Sequence, residues 1–272
     1  MTISRNVLFF LTCFYFSGSI SSVHAQEFSL GLKGGLLLTR SVIADKVDRK
    51  DFSQRNKLGY LGAVLIIFPL KNRYSFETEV GFSQRGRKIL SNNDTWTNSA
   101  TYYYGDVSML LRKSFPFKLR KNIPSLWFVN VGPNISYWLG GHGKIGTNQF
   151  QKYDIVYEPM PETPPGTGPD FDKMYFTDVN RWLFGINIGV GFVSPLRRSQ
   201  KVLTELRFMS GHTFYGGVNS ASWRTLGFTD NLRSNEKFLS LSVAYVFDFN
   251  LKEGKKGKST KDKEVKRGKR KR

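Results

Sequence analysis

The stretch "YSFETEVGFSQR", residues 74–85, decides the fold. Phe76, Val80 and Phe82 fall on one face of a period-two pattern, and Glu77, Glu79, Gly81 and Ser83 fall on the other. That period belongs to an extended strand, whose side chains alternate between two faces, and not to a helix. The glutamates set the question. A soluble β-sandwich would turn such a charged face to water and bury the apolar one. A membrane barrel would do the reverse.

Seven further segments carry the same alternation: "FSLGLKGGLLLT" (28–39), "YLGAVLIIF" (60–68), "YYYGDVSMLLRKSF" (102–115), "LWFVNVGPNISYW" (126–138), "LFGINIGVGF" (183–192), "VLTELRFMSG" (202–211) and "FLSLSVAYVF" (238–247). Each runs about nine to fourteen residues, enough for a tilted strand to cross a bilayer. The connections alternate in length. "PLKNR" (69–73), "PFKLRKNIP" (116–124) and "SPLRRSQ" (194–200) are short. The stretches before Leu58, around "GRKILSNNDTWTNSA" (86–100), from Gly140 to Asn180 and from Gly211 to Glu236 are long. Short turns on one side and long loops on the other fit an outer-membrane barrel, with both termini and the turns in the periplasm and the long loops extracellular.

Two compositional features favour the barrel over a secreted sandwich. Aromatic residues crowd the segment ends (Tyr102, Tyr103, Tyr104, Trp127, Tyr137, Trp138, Trp182, Tyr245 and Phe247), where interfacial girdles belong. Gly, Ser and Asn dominate the non-apolar face, as the narrow interior of a small barrel requires. The expected architecture is an all-β, eight-stranded, antiparallel up-and-down transmembrane barrel over residues 26–249. The second segment is atypical, because Leu61, Ala63, Leu65 and Ile67 make its inward face apolar too.

The ends have other compositions. Residues 1–25 read as a secretory signal peptide: Arg5, an apolar run from Val7 to Ile20, and "VHA" before Gln26. Cys13 is the only cysteine, so a chain cleaved after Ala25 has no disulfide. No later stretch is apolar enough for a helical span. Residues 250–272 form a basic tail that reads as disordered and periplasmic. From Lys252 onward it holds twelve Lys or Arg against three Asp or Glu, within a total net charge of +20. Lys255, Lys256, Lys266, Arg267, Arg270 and Arg272 typify it. Export removes nucleic acid as a partner. The tail is instead expected to tether anionic periplasmic material such as peptidoglycan, acidic protein domains or lipid headgroups.

The segments "GLKGGLLLT", "YSFETEVGFSQRG", "GDVSMLLRKSF", "VNVGPNISYWL", "FGINIGVGF", "TELRFMSG" and "LSLSVAYVF" together resemble the PorT-like outer-membrane β-barrel family of Bacteroidota. The resemblance runs from about Phe28 to Phe249 in sequence order. Gly105 to Lys113 matches a family strand resembling "LEIPLLLKY", with Asp106 in place of its Glu and Ser108 in place of its Pro. Gly132 and Pro133 match a mid-barrel "GP". The resemblance implies an eight-stranded integral outer-membrane barrel. It implies little about activity, although the family's namesake takes part in type IX protein secretion and gliding.

Chemistry-bearing motifs are sparse. His142 in "GGHGK" and His212 in "MSGHTF" fall on the loop side, where Asp170, Asp172, Asp178 and Ser210 could join them, but no spacing is selective. No metal motif and no cofactor motif is present. The expectation is a non-enzymatic anchor or interaction component, accessory to a secretion or envelope complex. The alternatives are an outer-leaflet lipid-modifying hydrolase using a histidine, or a small channel. Lys33, Glu77, Glu79, Asp106, Arg112, Glu205 and Arg207 form the expected interior charge network, since buried charges need partners. Loop 140–179 is expected to lack regular structure and to present Tyr153, Tyr157, Phe171, Tyr175 and Phe176 to an extracellular partner. The competing reading makes it a lid over the barrel mouth.

Overall fold

The computed structural model describes residues 27–45, 50, 52–91, 96–120, 123–159, 172–197, 199–217, 220–223, 228–230 and 232–250. The signal-peptide assignment and the tail beyond Asn250 lie outside them. Thirteen strands are described. Eight are long: β1 (Glu27–Ile43), β3 (Lys57–Pro69), β4 (Tyr74–Ser91), β5 (Thr97–Arg120), β6 (Ile123–Gly146), β9 (Trp182–Arg197), β10 (Gln200–Gly211) and β13 (Ser234–Asn250). Five are short: β2 (Phe52–Arg55), β7 (Phe150–Val156), β8 (Lys173–Phe176), β11 (Ala221–Trp223) and β12 (Phe228–Asp230). The long strands pair in the order β1-β3-β4-β5-β6-β9-β10-β13, every pair antiparallel. β13 then returns to β1 in a ladder from Glu27↔Asn250 to Ile43↔Ser234, which closes the ring. A closed ring leaves no unpaired edge, the condition for strands in hydrocarbon.

The alternation read from the sequence sets the two faces. Leu32, Leu36, Val80, Ile186, Ile188 and Leu241 point outward and are each more than half exposed, Leu32 at 68%. An apolar surface that continuous is untenable in water. It is bounded by aromatic residues at both ends. Phe28 stacks on Phe249 and Phe115 on Trp127 at the turn end, while Phe82 stacks on Tyr103 and Tyr137 meets Trp182 at the loop end. Phe184 to Phe192 on β9 spans the band. At about 3.4 Å per residue and a tilt near 40°, that is roughly 20 Å of height, close to the apolar belt of a membrane barrel. No described helix is long and apolar enough to cross a membrane.

The connection between β3 and β4 shows how local chemistry sets register. Asn72 and Arg73 both adopt left-handed backbone (φ 58° and 63°), and the Leu70 amide donates to the Tyr74 carbonyl at 2.8 Å. Two consecutive left-handed residues give the primed turn whose twist matches antiparallel strands, and Asn tolerates that conformation well.

Two sequence expectations need correction. The stretch 86–100 is mostly strand, because β4 and β5 stay paired from Gly86↔Thr101 to Leu90↔Thr97. Loop 140–179 also has regular structure. β6 continues to Gly146, β7 folds back on it, and β8 pairs with β7 in parallel. The reason is common to both: polar residues above the apolar belt still satisfy their backbone groups best in a ladder.

Candidate functional site

The inside of the ring is filled in layers. At the turn end Leu65, Ile67, Phe128, Val193, Leu203, Ala244 and Val246 form an apolar floor. This explains the apolar inward face of β3. Below the floor a cavity of about 760 Å³ opens toward the turns, lined among others by Arg112, Lys201 and Asp248.

Above the floor lies an ionic cluster. Arg207 donates to Glu79 through Nη1–Oε2 at 2.5 Å and Nη2–Oε1 at 2.9 Å, and to Glu205 through Nε–Oε1 at 2.8 Å. The Lys33 ammonium bridges the same two carboxylates at 2.7 and 2.5 Å. Asn130 donates to Glu205 at 2.8 Å. Arg112 pairs with Glu77 and lies 3.9 Å over the Phe128 ring. Three cations therefore meet three carboxylates, all buried. The oxygens of Glu77, Glu79 and Glu205 come within 4.8 Å of one another, a spacing that could hold a cation. Lys33 and Arg207 already supply that charge, so the cluster reads as a structural ion-pair network. β9 makes room for it: a Cβ on Gly189 would come within 2.4 Å of Asn130 Oδ1 and 2.6 Å of Glu205 Oε1.

A cavity of about 40 Å³ separates this cluster from a second one. That holds a few waters at most. Above it Arg85 donates to Asp106 at 2.5 Å and to Glu236 at 3.0 Å, with its guanidinium over Tyr104 and Phe238. Ser83 and Ser136 also donate to Asp106, and Arg87 pairs with Asp230 at 2.7 Å.

An aromatic cap closes the loop end. Trp138 is its hub, with ring centroids of Tyr102, Tyr157, Phe176 and Tyr215 at 4.7, 5.3, 5.4 and 5.4 Å. Tyr104 donates to the Tyr215 hydroxyl at 3.2 Å, and Tyr153 donates to Asn98 at 2.7 Å. Burial pushes the Tyr153 and Tyr215 phenols well above their ordinary pKa, so both stay protonated donors. A bulge in β6 builds this cap. The register passes from Tyr104↔Trp138 to Tyr103↔Gly140, which leaves Leu139 unpaired and reverses the inward parity of β6.

The structure distributes the sequence-derived residues as follows. Lys33, Glu77, Glu79, Arg112, Glu205 and Arg207 meet in the lower cluster, whereas Asp106 belongs to the upper one. Arg85, Arg87, Asp230 and Glu236 are additional members that the sequence reading did not single out. Tyr153, Tyr175 and Phe176 are not an outward surface. They are 2%, 5% and 2% exposed; β7 and β8 turn Tyr153 and Phe176 into the cap, while Tyr175, between Met174 and Phe176 on β8, is buried outside that cluster. Tyr157 is half-buried against Trp138, and Phe171 lies outside the described residues. Lys255, Lys256, Lys266, Arg267, Arg270 and Arg272 also lie outside them. His142 points outward and shares a 3.3 Å contact between its Nδ1 and the Tyr103 hydroxyl. His212 follows the end of β10 and is exposed. Among the described residues, neither histidine contacts a carboxylate side chain.

The family comparison agrees with this architecture. The family model described as "Outer membrane protein beta-barrel domain" matches residues 24–213. No curated protein matches the sequence. Similar solved structures include OprG from Pseudomonas aeruginosa, at 8% identity over 82% of this chain and 96% of that one, TM-score 0.45. Ail of Yersinia pestis, in complex with the heparin analogue sucrose octasulfate, has 9% identity over 81% and 99%, TM-score 0.33. The outer membrane protease OmpT from Escherichia coli has 8% identity over 85% and 99%, TM-score 0.34.

Proposed function

The chain belongs to the outer membrane protein beta-barrel domain family, an integral barrel of the Gram-negative outer membrane, and from that premise we propose that it is a closed, non-conducting and non-enzymatic anchor. Its short turns and termini face the periplasm and its capped end faces outward. It serves as an accessory to a secretion or envelope complex of the PorT type, with the basic tail as the periplasmic contact. The observation that carries this reading is the filled interior. A floor, two ion-pair clusters and an aromatic cap succeed one another, with a cavity of only about 40 Å³ between the clusters. An eight-stranded ring is just wide enough for side chains to fill it, and here they do. Such a molecule acts through its two ends.

Planar-bilayer recording of the full-length protein tests the closed barrel: a flat baseline is expected, and reproducible conductance steps overturn it. Crosslinking pull-down from native membranes tests the contact. Full-length protein should recover a periplasmic partner that protein ending at Phe249 does not, and the recovery should fall with salt. Equal recovery by both forms removes the tail from the mechanism.

A further inference from the structure

The outer wall above the loop-end girdle carries a row of cations across five strands. Arg55 on β2 stands opposite Lys88 on β4, Lys88 opposite Ser99 on β5, Ser99 opposite Lys144 on β6, and Lys144 opposite Lys152 on β7. Directly paired residues share one face of a sheet. The next residues inward, Gln54, Ile89, Asn98, Ile145 and Gln151, continue the pairing, with Ile89, Asn98 and Ile145 buried inside, so the row points outward. At about 4.8 Å per strand it spans roughly 19 Å. Around the ring, Arg40 stands opposite Lys237 in the same way, one alternate rung above the exposed pair Leu38 and Leu239. Among the described residues none of these six cations makes an ion pair. On the next rung toward the girdle, Asp154 faces His142 and Lys173.

Like charges directly opposite one another destabilise a sheet. Three such pairs at one end of one barrel favour a bound anion. Lys57 senses the same field. Its ammonium donates to the Ala100 carbonyl and the Thr101 hydroxyl, and its pKa is lowered to about 8 by burial and by Lys144 and Lys88.

We propose that this belt is a docking surface for the phosphorylated sugar headgroups of the glycolipid leaflet surrounding the capped end. Position selects the lipid over a soluble polyanion. Lys88 and Lys144 lie on the side of the wall, on strands that carry Phe82 and Tyr137 closer to the membrane, and Arg55 and Lys152 pair beside them on the same face. Height selects the headgroup. Four residues separate Tyr103 from Ser99, which at 3.4 Å each and a tilt near 40° is about 10 Å. The headgroup layer of an ordinary bilayer is only about 5–8 Å per side, so phosphates carried on sugars reach the row and glycerophospholipid phosphates do not. The proposal rests on the outward orientation of the capped end proposed above.

The test uses full-length protein in nanodiscs of phosphatidylcholine doped with phosphatidylglycerol, with a lipid A-type glycolipid bearing phosphates, or with its dephosphorylated form. Lipids retained after detergent extraction are counted by native mass spectrometry. Wild type should retain the phosphorylated glycolipid about tenfold over either control, and the R55Q/K88Q/K144Q/K152Q variant should lose that preference while keeping its heat-modifiable gel migration. Equal retention of the phosphorylated and dephosphorylated forms, or an unchanged variant, overturns the proposal. So does full competition by inorganic phosphate at equal phosphorus, which would mark a free-anion site. Nanodiscs expose both ends, so this result is independent of orientation. Labelling K152C on intact cells with an impermeant maleimide reads orientation separately, and absence of label sinks the orientation without touching the belt.

Discussion

Arg207 and Glu79 face each other across the ring as a two-point pair, at 2.5 and 2.9 Å, at the centre of a cluster sealed on both sides. Both are buried, so removing one strands the other. Arg207→Ala should lower stability by roughly 3–5 kcal/mol. The measurement is urea unfolding in detergent micelles, read from heat-modifiable gel migration. Losing the same amount from an outward residue such as Thr204 would argue against a buried network.

Gly189 is required by volume. Any side chain there meets Asn130 and Glu205 closer than real Cβ atoms approach anything. Gly189→Val should therefore cost about 1–3 kcal/mol or prevent assembly. Gly105, which has open space around its absent Cβ, should tolerate Ala with little change in the same unfolding midpoint.

The cap and the floor act as independent seals. Trp138→Ala removes the hub of the aromatic cluster and should cost about 3–5 kcal/mol. It should still leave bilayers silent, because the ion-pair clusters and the floor remain below it. Conductance appearing in this variant alone would show that the cap is the only barrier.

The outer face obeys the opposite rule from the interior. Ile188, at 58% exposure, sits midway along the apolar band of β9. Ile188→Arg should destabilise the barrel by about 2–4 kcal/mol in lipid, and Trp182→Arg at the girdle by about 0–1 kcal/mol. Equal costs would mean that the band does not lie at the bilayer midplane.

The alternation of Phe76 to Ser83 was enough to separate inward from outward residues, because a strand repeats every two residues whatever its partners are. Partners were harder to read. Arg85 closes the stretch 74–85 and Arg87 falls in the expected loop 86–100, and nothing local says that β4 stays paired beyond the bilayer. Glu236 was hidden for the same reason at the start of β13. After Trp138 a strict alternation would misplace every residue, because the extra residue at Leu139 shifts parity and sends Gly141 and Gly143 inward while His142 points out. Aromatic content could mark Tyr153 and Phe176 as contact residues but could not say with what. Their direction depends on β7 and β8 folding back across the ring, a pairing between distant segments.

The seam between β1 and β13 joins residues 191 to 223 positions apart, from Ile43↔Ser234 to Glu27↔Asn250. The ring therefore cannot shut during synthesis or export. Seven strands must wait, with two open edges, for the eighth to arrive. Contacts that distant are the slowest to form, and unpaired edges invite the wrong neighbour. This seam makes assembly an escorted process, and it makes the last seventeen residues of the barrel the moment at which the protein becomes committed to its membrane.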